Sequence, residues 1–207
     1  MKQIIYVNRK PALMDTITLP KSPDHFYENA NLIANKLAMG VISSEIAMRD
    51  LFTLLDGFMD FIKSHSKCTC APGCSYCCFQ DIPVTYYEAD SIHRFTGLEF
   101  ADTTNPSFNN RNACSFLKNN QCSIYPVRPF VCRTYISFSD PDLCRTGDGK
   151  RILFGQPIPD ISRPHNNNFQ SHFLKGLYNI LLNIININYP GTIDIRDLFP
   201  VSNMNGV

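Results

Sequence analysis

The sequence has no tryptophan, no excess of charge of either sign and no long apolar run. Its 19 basic and 18 acidic residues are interspersed and leave a formal net charge of +1. A broad charged surface of the kind that binds nucleic acid or an anionic membrane is therefore not expected. The longest apolar stretch near the C-terminus, Leu177–Ile187, is interrupted by asparagines and is shorter than the roughly 18 apolar residues of a membrane span. We expect neither nucleic acid nor membrane as a partner.

Recognised catalytic and targeting signatures are also missing. The sequence contains no G-x-S-x-G, no H-E-x-x-H, no phosphate-binding loop and no dinucleotide fingerprint, so catalytic residues remain unknown. The apolar patch near the N-terminus is too short for a signal peptide, and we predict a cytoplasmic protein. Because no internal repeat or linker composition divides the chain, residues 1–207 are predicted to form a single domain.

What the sequence does contain is cysteine, nine residues in all, five of them within residues 68–78. Cytosolic thiols are kept reduced, and a disulfide framework is typical of short secreted chains. The odd number of cysteines also argues against full pairing. Metal ligation is therefore the leading interpretation of the cysteines.

Helical periodicity precedes the cysteines, in residues 22–66. A first helix is expected to begin with Ser22 as its N-cap and Pro23 as its first residue, and to stop at Gly40. A second helix is predicted over about residues 44–64. Its apolar stripe comprises Leu51, Phe52, Leu55, Phe58, Met59 and Ile62. The two together are predicted to form an N-terminal helical hairpin that packs on the rest of the domain.

Residues 68–144 are predicted to form a cysteine-rich core with little regular structure. Thr85 and Glu88 have the spacing of a capping box at the start of a short helix that ends near Gly97. The letters KNNQ, residues 118–121, indicate a short hairpin. Residues 137–164 are rich in proline, glycine and aspartate and predict an irregular segment, and residues 166–187 predict a C-terminal helix. The fold class is thus α-rich, α+β, with helices around an irregular cysteine-ligated metal core and a short hairpin.

The spacing of the cysteines is typical of thiolate metal sites. Thiolates are soft ligands for zinc, copper(I) and iron–sulfur clusters, and closely spaced cysteines can turn back onto one ion. The candidate ligands are Cys70, Cys74, Cys77, Cys78, Cys114, Cys122, Cys132 and, more loosely, Cys144. Either two sites share these eight thiols, or one site is present and the other thiols are structural or reactive. Cys68 is the least certain ligand, and His65, although close to the cysteines, is better explained as a capping or solvated residue at a helix end.

The adjacent Cys77 and Cys78 suggest how two sites would be divided. Neighbouring side chains diverge by about 100° in a helix, so the two are not expected to bind the same ion. We expect one to join Cys70 and Cys74, and the other to join the later cysteines. Arg128 and Arg133 flank Cys132 and could balance thiolate charge around it, although ordinary ion pairs would explain them equally well.

With both cysteine regions in view, the chain resembles the cysteine-cluster family of zinc- or iron-chelating, YkgJ-type proteins. The matching residues are Cys70, Cys74, Cys77 and Cys78, then Glu88, then the letters CSFL and CSIYPVRPFVCR, which together cover about residues 68–135. The three-residue gap between Cys70 and Cys74 departs from the usual two, and Cys68 could substitute as a ligand. The resemblance implies metal binding, without a known reaction.

Three functions are consistent with these features. The first is a soluble metalloprotein with one or two thiolate-rich sites, in which zinc is the preferred metal and iron the alternative. The second is an iron–sulfur or metal-dependent redox enzyme with a pocket beside the metal, lined by Glu88, Tyr125, Arg128 and Arg133. The alternative roles of these four residues are capping, packing and support of the ligands. The third is a metal-delivery module, with a protein partner that the sequence does not identify.

Overall fold

The structure of the chain is a computed structural model. It describes residues 23–66, 68–71, 73–102, 112–137, 140–141, 144 and 193–204, together with the backbone of residues 2–3, 17–18 and 151–153. The predicted C-terminal helix at residues 166–187 and the predicted N-cap Ser22 lie outside the described residues. Two N-terminal strands, β1 (Lys2–Gln3) and β2 (Ile17–Thr18), pair antiparallel.

Helices α1 (Asp24–Ala38) and α2 (Ser44–Ser64) form the predicted hairpin. Pro23 has an extended conformation and is the N-cap of α1, so the helix begins at Asp24, one residue later than predicted. Gly40 adopts a positive φ of 68° after α1, and the next amide, of Val41, donates to the Lys36 carbonyl oxygen at 2.8 Å. This left-handed turn suits glycine and confirms the predicted helix stop.

A first apolar cluster fills the hairpin. Its buried members are Phe26, Ala30, Ala47, Met48, Leu51, Leu55, Phe58, Met59 and Ile62, joined from later in the chain by Phe130 and Ile136. The predicted stripe of α2 is therefore buried except at Phe52, which is only half-buried. The spacing of three and four places these side chains on one face of the helix, where they exclude water from the contact with α1.

Short elements follow the first cysteines. Strand β3 (Pro83–Val84) leads into helix α3 (Tyr86–Thr96), which ends at Gly97 with a positive φ of 74°. Both sides of the Thr85–Glu88 capping box are present, so this helix is confirmed as predicted. Strands β4 (Leu117–Lys118) and β5 (Gln121–Cys122) form the predicted hairpin around Asn119 and Asn120, which both have a positive φ.

The chain then turns back toward the helical hairpin. Helix α4 (Phe130–Thr134) follows Pro129 and runs directly into strand β6 (Tyr135–Ser137). Strand β6 pairs antiparallel with β7 (Arg151–Leu153), so the prediction of an unbroken irregular segment over residues 137–164 is wrong at residues 151–153. A pairing partner far along the chain leaves no local signal in a segment rich in turn-forming residues.

The strand and helix near the C-terminal end of the described residues pack against the cysteine core. Strand β8 (Ile193–Asp194) pairs antiparallel with β3, and helix α5 (Ile195–Leu198) follows it. A second apolar cluster forms between these elements, α3 and the β4–β5 hairpin. Its buried members are Ile82, Val84, Ala89, Ile92, Leu98, Cys114, Phe116, Ile124, Val131, Ile195 and Phe199.

The two apolar clusters meet at α4. Phe130 packs into the first cluster, and its neighbour Val131 packs into the second. The predicted α-rich class, with short antiparallel strand pairs and cysteines gathered at residues 68–78, is confirmed. Among the described residues, no helix is long and apolar enough to cross a membrane.

Candidate metal centre

The cysteines lie in two groups, and members of each group pack against a different apolar cluster. We define the first thiol group as Cys68, Cys70, Cys74 and Cys144. We define the second thiol group as Cys78, Cys114, Cys122 and Cys132. All nine cysteines, including Cys77 between the two groups, are free thiols.

Strand β6 organises the first thiol group through Ser137. The Ser137 amide donates a hydrogen bond to Cys70 Sγ at 3.2 Å, and Cys144 Sγ donates one to Ser137 Oγ at 3.2 Å. The Thr69 amide and hydroxyl both donate to the Ser137 carbonyl oxygen, at 2.9 and 3.1 Å. One serine on β6 therefore brings together two thiols that are 74 positions apart in the sequence.

A tight turn carries the chain from Cys70 to Cys74. The Cys74 amide donates to the Ala71 carbonyl oxygen at 3.0 Å, and Gly73 adopts a φ of 88°. Only glycine takes up this backbone conformation without strain. The extra residue in the Cys70–Cys74 gap is thus accommodated by the turn. Burial raises the pKa of Cys74, and the charges of the nearby Cys77, Cys144 and Cys68 thiols add to the rise.

The second thiol group lies beside the second apolar cluster. Cys78 lies in a 3-10 turn at Tyr76–Phe79, and its carbonyl oxygen accepts a hydrogen bond from the Cys114 amide at 2.7 Å. Cys122 is the last residue of β5, and Cys132 lies on α4. Cys78, Cys122 and Cys132 all pack against the cluster that contains the buried Cys114. Three separate elements thus converge on one location.

Cys77 lies between the two groups. Its negative charge would raise the pKa of Cys74 in the first group and of Cys122 and Cys132 in the second. A hydrogen bond between the thiols of Cys77 and Cys78 is the main cause of the raised pKa of Cys77.

Burial favours the neutral form of the Cys114, Cys122 and Cys132 thiols. It raises the pKa of Cys114 to about 12 and that of Cys132 well above its ordinary value. The positive charges of Arg128 and Arg133 oppose the rise at Cys122. In the first group, a hydrogen bond with the Cys70 thiol lowers the pKa of Cys68 to about 6, whereas the same contact and burial raise the pKa of Cys70.

The two arginines that flank Cys132 meet at a carboxylate that the sequence analysis did not single out. Asp56 of α2 accepts from Arg128 at 2.8 Å through one oxygen and from Arg133 through the other. Arg133 also donates to the carbonyl oxygens of Arg128 and Pro126, both at 2.8 Å. These guanidinium groups thus contact oxygen atoms and aromatic rings, and their effect on the thiols is electrostatic.

Glu88 and Tyr125 support the backbone around the site. The buried Glu88 carboxylate accepts from the Thr85 amide at 2.8 Å and from the Phe130 amide at 2.6 Å, so it ties α3 to α4. Burial raises the pKa of Glu88, and these hydrogen bonds partly oppose the rise. The exposed Tyr125 ring lies under the Arg128 guanidinium, 3.7 Å from it. His65 caps α2 instead of approaching a thiol, since its Nδ1 lies 2.9 Å from the Phe61 carbonyl oxygen.

Arg196 is a second residue that sequence reasoning missed. It is buried on α5 and makes two hydrogen bonds of 2.7 Å to the fully buried Asp194. It also donates to the Asn112 carbonyl oxygen at 2.6 Å, and its charge partly opposes the rise that burial causes in the pKa of Cys114. No sequence pattern links residue 196 to the cysteines, because the contact depends on the pairing of β8 with β3.

The cysteine thiols are suitable ligands for a thiophilic metal ion, but they do not yet surround a common centre. In the described part of the chain, no three Cys, His, Asp or Glu side chains are already arranged to hold an ion. The thiols of each group would therefore converge on binding. A cation would supply the charge that lets buried thiols ionise. The buried Oγ of Ser115, next to Cys114, is also left without a hydrogen-bond partner among the described residues.

Comparison with known proteins identifies one family. Residues 67–150 match the model described as "CxxCxxCC: Putative zinc- or iron-chelating domain", and this match confirms the resemblance read from the cysteine motifs. The matched range extends beyond residue 135 and includes Cys144, which the sequence analysis had placed outside the resemblance. No curated protein and no solved structure matches the chain. The comparison supports metal binding and leaves zinc and iron as equal candidates.

Proposed function

We propose that this chain is a cytoplasmic, single-domain zinc protein that holds two ions in thiolate sites. One site is formed by the first thiol group with Cys77 in place of Cys68, and the other by the second thiol group. The observation that carries the proposal is the convergence of thiols from distant parts of the sequence onto two neighbouring locations, β6 and the second apolar cluster. Eight thiols suffice for two closed tetrahedral sites, because a structural zinc ion takes four ligands.

The first site would use Cys70, Cys74 and Cys144, with Cys77 as its fourth ligand. Ser137 supports this set, since it contacts both Cys70 and Cys144. The tight turn at Gly73 brings Cys74 back toward the same location. Cys77 completes the set, since among the neighbouring thiols its charge raises the pKa of Cys74 more than the charges of Cys144 and Cys68 do.

The second site would use Cys78, Cys114, Cys122 and Cys132. The hydrogen bond from the Cys114 amide to the Cys78 carbonyl oxygen joins the two cysteine regions of the sequence at this location. All four residues pack on one apolar cluster, which excludes water from one side of the ion. Arg128, Arg133 and Arg196 lie near enough to offset part of the negative charge of four thiolates.

The role proposed for the metal is structural. The pKa of Cys114 is raised to about 12 in the absence of a cation, so its thiol must lose a proton when an ion binds. In structural zinc sites the resulting free energy of binding serves as free energy of folding. No reaction is assigned to the chain, because the described contacts of Glu88, Arg128 and Arg133 are structural.

Zinc stoichiometry in matched serine variants tests the two ligand sets. The wild-type protein, purified under reducing conditions, is expected to contain about two zinc ions per chain. Cys74→Ser should lose the first ion alone, and Cys122→Ser the second alone. Cys68→Ser is the control and should retain both ions. Loss of both ions from the Cys74 or the Cys122 variant, or an ion missing from the Cys68 variant, would contradict the proposed division.

A further inference from the structure

Arg196 joins two stretches of chain that carry proposed ligands of the second site. Its guanidinium group donates to the Asn112 carbonyl oxygen at 2.6 Å and to the Gln80 carbonyl oxygen at 3.2 Å. Asn112 lies two residues before Cys114, and Gln80 lies two residues after Cys78. One side chain on α5 therefore bridges the backbone close to two cysteines of the second thiol group.

We define residues 78–80 and 112–114 as the two ligand stretches, which are also hydrogen-bonded directly. The Cys114 amide donates to the Cys78 carbonyl oxygen at 2.7 Å. The direct bond joins position 78 to position 114, and the guanidinium group joins position 80 to position 112, so the stretches run in opposite directions. With one attachment the stretches could pivot about it, whereas two attachments fix their relative orientation as well as their distance.

The guanidinium group is itself held in place. The fully buried Asp194 accepts from it through both carboxylate oxygens, each at 2.7 Å. Asp194 also accepts from the Ile82 amide at 2.9 Å, and the Ile195 amide donates to the Ile82 carbonyl oxygen at 3.0 Å. A guanidinium group oriented by a bidentate carboxylate loses little further freedom when it also binds carbonyl oxygens. The bridge is therefore a rigid one.

We propose that Arg196 is a positioning residue, which limits how far the two ligand stretches can move apart and thereby raises the affinity of the second site for its metal ion. The positioning rests on the hydrogen bonds alone. The gain in affinity rests on the proposed function, because it requires Cys78 and Cys114 to bind one ion. Residues that support metal ligands without touching the metal typically change metal affinity by about 10- to 100-fold when they are replaced.

The effect must be mutual. If Arg196 raises the affinity of the second site, the bound ion stabilises the docked position of α5 by the same free energy. Loss of the second ion should therefore accelerate hydrogen exchange in residues 193–199, although none of these residues is a proposed ligand. The full-length Cys122→Ser chain should exchange faster there than the Cys74→Ser chain. This comparison needs no substitution at Arg196, so it tests the proposal even where an Arg196 variant does not fold.

The main test measures zinc affinity in two full-length chains that should each keep one ion, Cys74→Ser for the second site and Cys122→Ser for the first. Arg196→Gln is introduced into each together with Asp194→Asn, so that no buried charge is left unpaired. Competition with a chromophoric zinc chelator under reducing conditions should show an affinity about 10- to 100-fold lower in the Cys74→Ser chain. The affinity of the Cys122→Ser chain should be unchanged.

Two further variants separate positioning from other effects. Arg94→Gln removes an exposed arginine that pairs with Glu45 and Asp90, and it should change neither affinity. Arg196→Lys keeps the positive charge, but an ammonium group cannot reproduce a fork that spans two carbonyl oxygens and a carboxylate. The affinity of the second site in the lysine variant should stay about tenfold or more below that of the arginine chain.

Three results would overturn the inference. They are an unchanged affinity in the Cys74→Ser chain, an equal fall in both chains, and full restoration by Arg196→Lys, which would show that charge alone is needed. If the wild-type chain bound no zinc, the proposed function and the gain in affinity would both be contradicted. Hydrogen exchange in the two ligand stretches would then still test the positioning, since it should accelerate when Arg196 and Asp194 are both replaced.

Discussion

The helical hairpin and the cysteine core of this chain are built in opposite ways. The hairpin consists of two helices of 15 and 21 residues that bury one continuous apolar stripe. In the cysteine core, the longest helix has 11 residues and the described strands have two or three. Short elements contribute little stability of their own, so the core depends on side-chain contacts and, in this account, on its thiols.

The comparison indicates where a bound metal ion would contribute most to stability. Apolar burial alone can stabilise the hairpin, because its contacts lie between neighbouring helices. The core brings together residues 68–78, 112–137 and 193–199, whose contacts are separated by long stretches of sequence. A metal ion with ligands from several of these segments would offset the entropy lost in bringing them together.

Removal of metal should have the largest effect on stability, and this effect should be confined mainly to the cysteine core. Structural zinc contributes about 10 to 16 kcal/mol of apparent binding free energy, which is comparable to the stability of a whole domain. After treatment with a strong chelator under reducing conditions, hydrogen exchange is expected to accelerate in residues 112–137 and to change far less in α2. Equal acceleration in both regions, or none in the core, would show that the core does not depend on metal more than the hairpin does.

A cavity made in the helical hairpin should lower the stability of the chain without affecting the metal sites. Leu55 is fully buried in the first apolar cluster, so Leu55→Ala should lower the free energy of unfolding by about 2 to 5 kcal/mol. Leu32 is half exposed on α1 and provides the matched control, with an expected change below about 0.5 kcal/mol. Denaturant unfolding measures both values. The zinc content of the folded Leu55 variant should equal that of the wild type.

Loss of the ion pairs that join α2 to the cysteine core should have the next largest effect on stability. Asp56→Ala would leave Arg128 and Arg133 without the carboxylate that they share, at an expected cost of about 3 kcal/mol because both guanidinium groups are largely buried. Asp60 lies one turn later on the same helix and is exposed beside Lys63, so Asp60→Ala is the control. Similar denaturation midpoints for the two variants would show that the link contributes little.

Helix caps should give the smallest effect. Thr85→Ala removes the capping oxygen of α3 in the core and should cost about 1 kcal/mol. Ser43→Ala removes the corresponding cap of α2, where the hydrogen bond to the Ile46 amide is exposed. We expect a larger loss for Thr85, because its cap is buried and shared with Glu88, and thermal unfolding of the two variants provides the comparison.

Local patterns in the sequence predicted the elements, and long-range contacts limited the prediction of the site. The stripe of α2, the Thr85–Glu88 box and the hairpin at Asn119–Asn120 depend on residues close in the chain, and all three are present. The contact of Ser137 with Cys70 and Cys144 depends on β6, and that of Arg196 with Asp194 on the pairing of β8 with β3. Neither pairing has a local signature.

Elemental analysis of protein purified without oxygen, combined with its visible spectrum, tests the central claim most directly. The account predicts a colourless protein with about two zinc ions per chain. A brown protein that contains iron and inorganic sulfide would contradict the zinc assignment and favour an iron–sulfur protein. A protein that contains neither metal, and in which the amides of the core exchange as slowly as those of α2, would contradict the claim that the core depends on metal.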